Sequence, residues 1–241
     1  MTGWRLADGG PVIPNFGHGS ECLRDNGWLC TSWVRQHWGD ILQPALVQHI
    51  ELTLIAVGIG FAIAFLLALV GFRWRVFDPP LGAFTDILYT IPSIALYQLL
   101  VPVTGLTVTT IEIALVSYTL FVLYRNIVAG LRAVPPEVLE SARGMGLTRR
   151  QTFLRVELPL AAPAILAGLR VATVATISIA TVAAFLIYYG LGGPIFDALG
   201  QPDIFRTELL ASGGLAILLA LSADALLALL QRALTPWSRL R

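Results

Sequence analysis

The chain has 241 residues, of which 56% are hydrophobic and only 13% are charged, and its mean hydropathy is +0.75. This composition excludes an ordinary soluble domain and is typical of a protein that crosses a membrane several times. The chain has sixteen arginines and no lysine, so it lacks the lysine that a phosphate-binding loop requires. If a nucleotide drives the protein's work, another subunit must therefore bind that nucleotide.

Residues 1–47 are polar to mixed and lack the pattern of a signal peptide. We predict an extension outside the membrane, with a helix over 31–42 that lies along the membrane interface. Cys22 and Cys30 flank a turn-like segment, and a disulfide between them would close this cap in an oxidising compartment. The alternatives are two unpaired thiols in a loose tail, or a translation start assigned too far upstream.

Five apolar segments follow, and each is predicted to cross the membrane. The first has 21 residues without a charge, enough for about 30 Å of hydrocarbon. Gly58 and Gly60 in this segment favour close contact with a neighbouring helix. A Gly- and Pro-rich loop is predicted at 190–206, before the last span. The five predicted spans are 52–72, 81–103, 108–124, 160–188 and 207–230.

Charge placement orients these spans, because cytoplasmic loops carry an excess of basic residues. With 125–157 in the cytoplasm, the inner loops carry eleven arginines against four acids, and the outer segments carry four arginines against six acids. We therefore predict an N-terminus outside, a membrane domain at 48–235, and a cytoplasmic tail at 236–241. All six tryptophans lie beyond the charge-free cores of the spans, as interface anchors should.

The only long polar segment between the spans is residues 135–159, and its pattern predicts two short helices. Its paired prolines suit a first helical turn, and Gly144 and Gly146 favour a C-terminal stop. Thr148 and Gln151 have the spacing of a capping box that opens a second helix. One apolar face is predicted for the first helix, which suits a groove on another protein. The residues of this face are Val138, Ala142 and Met145.

The same segment carries a gapped motif. Glu140, Ala142, Gly146, Leu158 and Pro159 match it at the required spacing, and Ser141 and Val156 stand where the motif has an alanine and an isoleucine. They resemble the EAA signature, EAA-x3-G-x9-I-x-L-P, of the membrane permeases of ATP-binding-cassette (ABC) importers. The resemblance implies that 132–159 is a coupling loop whose helix docks in a groove of the cytoplasmic ATPase. Gly144 and Met145 belong to the same candidate docking surface.

Other segments resemble the osmoprotectant permeases, the subfamily for glycine betaine, choline and carnitine. They are 90–96, 125–126, 143–146, 156–160 and 167–173. The resemblance covers about residues 48–235 and implies an all-α integral membrane protein of the type I fold. The implied fold has five spans, with a coupling helix between the third and the fourth. It also implies alternating access, with ATP and Mg bound by the partner ATPase and no cofactor in this chain.

The resemblance also implies the partners. These are a second permease copy or paralogue, a cytoplasmic ATPase dimer, an extracytoplasmic solute-binding protein, and the bilayer of a prokaryotic cytoplasmic membrane. An importer for another small solute, such as an amino acid, is one alternative. An ion-driven secondary transporter is another, although the chain lacks the internal repeat typical of that class. Neither nucleic-acid binding nor a resident metal is expected.

An enzyme is the least favoured class, because no catalytic constellation is present. The three histidines, His18, His37 and His49, fall in the outer tail, and no Cys/His pair has the spacing of metal ligands. The chain is therefore expected to be a transport subunit without catalytic residues of its own.

The second span supplies most of the candidates for the translocation path. A proline in a span bends the helix and frees a carbonyl, which Thr90 and Ser93 can bond. Aromatic faces attract quaternary ammonium groups, although ordinary helix packing is the favoured explanation of these rings. A kink without solute contact is the alternative for the proline. The path candidates are Thr90, Pro92, Ser93, Tyr97 and Tyr118.

Four ionisable side chains lie within or near spans. Charges deep in a membrane are costly unless paired, so Arg170 and Asp224 are predicted to form an ion pair across the last two spans. A proton relay is the alternative for this pair. Asp86 and Glu112 lie near span ends and are expected to reach water.

Overall fold

The computed structural model describes residues 21–237, and every regular element in this part of the chain is a helix. This confirms the all-α prediction. The helices are α1 Glu21–Asp25, α2 Thr31–Gln36, α3 Gln43–Arg73, α4 Asp78–Thr90, α5 Ser93–Thr104, α6 Val108–Arg132, α7 Pro136–Gly144, α8 Arg149–Thr152, α9 Leu158–Val182, α10 Gly192–Gly200 and α11 Arg206–Leu234. Single π-helical turns at Trp38–Leu42 and Phe153–Glu157 lead into α3 and α9.

Four helical segments are long and apolar enough to cross a membrane. They are Trp38–Arg73, Val108–Arg132, Arg149–Phe185 and Arg206–Leu234. The second predicted span, 81–103, is instead a broken pair, because the axes of α4 and α5 differ by 98°. The described residues thus hold four continuous spans, or five if the bent pair crosses the membrane as one.

The break between α4 and α5 follows from Pro92. Proline disfavours helical geometry in the residue before it, and Ile91 accordingly has φ −69° and ψ 127°. The carbonyl of Ile91 accepts a hydrogen bond from the hydroxyl of Tyr118 on α6. Thr90 bonds inside its own helix, and within residues 21–237 no side-chain hydrogen bond joins Ser93 to the break. The prediction that these two side chains satisfy the freed carbonyl is therefore wrong.

The long helix α6 lies at the centre of the bundle and packs against α3, α4, α5 and α9. Small residues bring the helices close together. A Cβ on Gly60 would overlap the side chain of Thr119, and a Cβ on Gly168 would overlap Asn126. Gly58 has open space around it, so only Gly60 makes the predicted close contact.

The last helix, α11, packs on α9 and α10 along one side and leaves a long apolar face open. In a membrane such a face meets lipid tails or a helix of another chain. The residues on it that are more than half exposed are Ile217, Leu218, Leu221, Leu226, Leu229 and Leu234.

The described part of the N-terminal extension is folded. Cys22 and Cys30 are joined by a disulfide, and the loop that they close sits on the start of α11. The amide of Asn26 donates to the carbonyl of Ile204 at 2.9 Å, and its oxygen accepts from the N–H of Arg206 at 3.1 Å. Residues 21–37 are therefore anchored to the membrane domain, and the loose-tail alternative is wrong for them.

The aromatic side chains of this extension have different environments. Trp33 is only 6% exposed, packs edge-to-face on Phe205 and stacks on His37. It is a core residue, so the interface-anchor prediction is wrong for Trp33, and Trp4 lies outside the described residues. The predicted single helix at 31–42 is divided between α2 and the π-helical turn. Among the described residues, the tryptophans that are exposed, as interface anchors would be, are Trp28 and Trp38 in the extension and Trp74 and Trp237 elsewhere.

The segment predicted as a loop at 190–206 contains the helix α10. Pro194 lies in its first turn, where a missing N–H costs nothing. Gly192 lies against the carbonyl of Thr181, and a Cβ there would overlap it. The glycine and proline that suggested a loop instead permit a close approach and a helix start, so the loop prediction is wrong for Gly192–Gly200.

Candidate functional site

The predicted coupling loop, residues 132–159 and here named the coupling segment, folds as the two predicted short helices, α7 and α8. Pro135 is the N-cap of α7, and Glu140 and Ser141 point to solvent. Ala142 is 1% exposed and packs inward, whereas Met145 is 73% exposed. The predicted apolar face is therefore divided, because Met145 lies beyond the last helical residue and does not keep the helical spacing.

The end of α7 confirms the predicted glycine stop. The N–H of Leu147 donates to the carbonyl of Ala142 at 3.1 Å, and the N–H of Gly146 donates to the carbonyl of Arg143 at 2.9 Å. This pair of bonds is a Schellman motif, and Gly146 has the positive φ of 80° that the motif requires. A Cβ at Gly146 would meet nothing within 4 Å, so the position demands a backbone conformation and not space.

The start of α8 confirms the predicted capping box. The side chain of Gln151 accepts from the N–H of Thr148 at 2.8 Å, and the hydroxyl of Thr148 accepts from the N–H of Gln151 at 3.4 Å. From there the chain stays helical through Leu158 and Pro159 into α9, giving one continuous segment, Arg149–Phe185. The second short helix, α8, is therefore continuous with the span that contains α9.

Arg170 and Asp224 form an ion pair between α9 and α11. Both bonds of the pair, Nε to Oδ1 and Nη2 to Oδ2, measure 2.9 Å. Gln231 extends the link, because its oxygen accepts from Arg170 and its amide donates to the carbonyl of Pro163 at 3.1 Å. The two helices are thus joined by a charge-assisted pair with fixed geometry.

A second ion pair, which the sequence did not predict, joins α4 to α6. The guanidinium of Arg125 donates to Asp86 through Nε at 3.2 Å and through Nη2. Asp86 thus pairs in addition to the predicted access to water. Their side chains are 52% and 39% exposed, and those of Arg170 and Asp224 are 32% and 40% exposed. Charges at this exposure within spans require a water-filled cavity or another protein surface.

The structure separates the predicted path candidates into two groups. Thr90 and Pro92 are exposed and Ser93 is half-buried. Tyr97 and Tyr118 are only 2% and 6% exposed. The hydroxyl of Tyr97 donates to a carbonyl of α9 at 3.3 Å, and that of Tyr118 bonds the bend described above. In this conformation both tyrosines hold helices together and do not line an open path.

Tyr89 is the exposed aromatic residue at the bend. Its ring is stacked on Phe121, with centroids 4.4 Å apart, and packs edge-to-face on Tyr118. Tyr89 is 43% exposed and lies one helical turn after Asp86. A ring face and an ion pair are thus neighbours on one open surface of α4 and α6.

His49, which the sequence placed in the outer tail, is a buried residue of the membrane domain. It belongs to α3 and has no exposed surface. Its Nδ1 accepts from the N–H of Leu191 at 3.2 Å, so Nε2 carries the proton that is donated to the carbonyl of Ile177 at 3.0 Å. The neutral ring joins α3, α9 and the start of α10. Its helical spacing from Ala45, Leu52 and Ala56, which are buried on the same face of α3, was the signal that could have revealed its burial.

Glu112 also differs from its prediction. Both of its carboxylate oxygens are buried, and neither has a hydrogen-bond partner among residues 21–237. The expected contact with water is therefore wrong in this conformation. Within the same part of the chain, no three His, Cys, Asp or Glu side chains are arranged to hold a metal ion.

Comparison with known proteins identifies the family. Residues 56–236 match the family described as "Binding-protein-dependent transport system inner membrane component". The choline transport system permease protein OpuBB of Bacillus subtilis is 35% identical over 205 residues, which are 85% of this chain and 93% of that protein. The osmoprotectant import permease protein OsmW of Salmonella typhimurium is 38% identical over 197 residues, 78% of this chain and 89% of that protein.

Solved structures share the fold. A chain of the methionine ABC transporter MetNI, in inward-facing conformations, superimposes with a TM-score of 0.70 at 18% identity over 85% of this chain and 98% of that one. Such permeases are transport components and not enzymes, and they work with an ATPase and a substrate-binding protein. The continuous spans, the coupling segment and these matches together show that the chain belongs to the permease subunits of ABC importers and has the type I permease fold.

Proposed function

We propose that this permease carries a small osmoprotectant with a quaternary ammonium group, such as glycine betaine, choline or carnitine. The observation that carries the proposal is the similarity to permeases named for these solutes, including the glycine betaine/carnitine/choline permease OpuCB of Bacillus subtilis, 33% identical over 206 residues. That relative is matched over 85% of this chain and 93% of its own length.

The geometry at the bend between α4 and α5 fits such a solute. The face of Tyr89 can attract a quaternary ammonium group through cation–π interaction. Arg125 on α6 pairs with Asp86, which lies one helical turn before Tyr89 on α4. When this pairing loosens, Arg125 can attract a carboxylate. Both side chains are exposed, so the contacts would be weak. Weak contact suits a permease, because the solute must leave again.

The helical connections support alternating access driven by ATP and Mg on the partner ATPase. The coupling helix α7 would dock on the ATPase through the exposed Glu140, Ser141, Gly144 and Met145 and the turn at Gly146. Its movement would reach α9 through the continuous helix, and α11 through the pair of Arg170 and Asp224. Two spans would then move together and change which side of the membrane the path faces.

The arrangement in the membrane is also part of the proposal. The chain would cross a prokaryotic cytoplasmic membrane five times, with α4 and α5 as one bent span, the extension outside and the coupling segment inside. A second permease copy or paralogue would cover the open face of α11 and the half-exposed ion pairs. The solute-binding protein would dock on the outer side.

Uptake by the assembled importer tests the solute. The permease, its ATPase and its binding protein are reconstituted in vesicles, and ATP-dependent uptake of labelled choline, glycine betaine and carnitine is measured. We expect uptake of at least one of them. Accumulation of amino acids only, or transport by the isolated permease on an ion gradient alone, would contradict the proposal.

Matched variants at Tyr89 test the site. Tyr89→Ala should lower uptake about two- to fivefold, because an exposed cation–π contact contributes about 0.5–1 kcal/mol. Tyr89→Phe keeps the ring face and should transport at nearly the normal rate. Equal losses in both variants would show that the hydroxyl, and not the ring, is needed.

Cysteine labelling from one side of the membrane tests the orientation. A membrane-impermeant maleimide, applied to intact cells, should label Cys22 and Cys30 only after reduction, because the two are bridged and the extension is proposed to lie outside. The control is the Cys22→Ser/Cys30→Ser variant, which should take up no label. Labelling that requires broken cells would place the extension in the cytoplasm.

A further inference from the structure

A large cavity opens at the end of the bundle that carries the coupling segment. Its volume is about 1440 Å³, and it lies between the ends of α3 and α6, the start of α4, and the coupling helices. Its lining carries six arginines and two acids, Asp78 and Glu157, a net charge of +4. The arginines are Arg73, Arg75, Arg132, Arg143, Arg149 and Arg150.

Only one of these arginines is held in an ion pair within the described part of the chain. Arg132 pairs with Asp78 at 2.9 Å, and Asp78 also accepts from the hydroxyl of Tyr124 at 2.7 Å. The other five arginines form no ion pair within residues 21–237. Five guanidinium groups around one cavity make a strong site for an anion with several oxygens, because each offers a planar fork of donors.

The position and the walls of the cavity indicate which anion it takes. Leu69, Val70 and Phe72, from the end of the apolar helix α3, form one wall. Trp74 stands at the rim and is 53% exposed, as is common for tryptophan at the level of lipid headgroups. Arginines beside an apolar wall suit a molecule with an acyl chain and a phosphate.

We propose that this cavity binds the phosphate headgroup of an anionic phospholipid. Arg73 and Arg75 hold the phosphate at the end of α3, as basic pockets between spans hold such headgroups. Arg143 and Arg149 approach from the coupling segment. The lipid therefore joins the first span to the coupling segment, and this assignment does not depend on the solute that the permease carries.

Binding of soluble lipid analogues to the full-length protein in neutral detergent tests the proposal. The probes are dihexanoyl phosphatidylglycerol, dihexanoyl phosphatidylcholine and inorganic phosphate, and the readout is the shift in melting temperature with concentration. We expect the phosphatidylglycerol alone to raise the melting temperature. The Arg73→Gln/Arg75→Gln variant should bind it about 30-fold more weakly, roughly fivefold for each lost charge.

A charge-matched variant controls for the loss of two positive charges. Arg24→Gln/Arg35→Gln changes two exposed arginines in the extension and should bind the analogue normally. Melting without lipid shows whether each variant folds, and Arg75→Gln alone, in the turn after α3, replaces the double variant if that one does not.

Three results would overturn the assignment. An equal shift with inorganic phosphate would make the cavity a site for free phosphate. Unchanged phosphatidylglycerol binding in Arg73→Gln/Arg75→Gln would exclude a headgroup site at these arginines. Loss of the ATPase from the purified complex of this variant, with lipid binding intact, would assign the arginines to a protein interface.

Discussion

Replacing Gly146 by alanine should lower solute uptake about tenfold while leaving the amount of permease in the membrane unchanged. Gly146 has a φ of 80°, and a side chain in this left-handed region costs about 1–2 kcal/mol. Since 1.4 kcal/mol is about a factor of ten in population, the turn that ends α7 becomes about tenfold less favourable relative to other conformations. The measurement is ATP-dependent uptake, normalised to permease that is present in the membrane.

Two further variants separate the backbone from the surface. Gly58→Ala places the same methyl group inside α3, in open space and away from the coupling segment, and should transport within about twofold of normal. Gly146→Asn is larger than alanine but tolerates a positive φ better, so it should transport more than Gly146→Ala. A Gly146→Asn variant that is worse than Gly146→Ala would show that docking requires space and not the turn.

Replacing His49 by alanine should lower the free energy of unfolding by about 3–5 kcal/mol. The ring is fully buried, so its loss leaves a cavity. It also removes the bonds to the N–H of Leu191 and the carbonyl of Ile177. The carbonyl keeps its bond inside α9, whereas a buried N–H without a partner costs about 1–3 kcal/mol. The measurement is denaturant unfolding of the purified permease in detergent.

Two other histidine variants control this experiment. His49→Gln can still donate to Ile177 and should lie between the wild type and His49→Ala. His37 is only half-buried and stacks on Trp33, so His37→Ala should cost about 1 kcal/mol, as for one aromatic pair. Equal losses for His49→Ala and His37→Ala would show that the two backbone bonds of His49 contribute little.

The fold has consequences for how the importer couples its parts. The helix α8 runs into α9 without a break, and α9 is joined to α11 by Arg170 and Asp224. The other side of the bundle, α4 and α6, has its own ion pair between Asp86 and Arg125. The two halves are in contact mainly through the packing of α6 on α9. A movement of α4 and α6 relative to α9 and α11 would leave both ion pairs intact.

The sequence by itself determined the features that depend on neighbouring residues. Apolar segments predicted the helices, Pro135 and Gly146 predicted both ends of α7, and Thr148 with Gln151 predicted the start of α8. These signals are local, because caps and stops act on backbone groups within a few residues. The family resemblance is local in the same sense, because it rests on the fixed spacing of residues around Gly146.

The tertiary structure alone decided which faces of the helices meet. It buried Tyr97, Tyr118 and His49, and it gathered six arginines around one cavity. Periodicity could not predict these results, because a membrane helix is apolar on both its lipid side and its protein side. Without that contrast, burial and pairing depend on small residues such as Gly60 and Gly168, whose contacts lie far away in the chain.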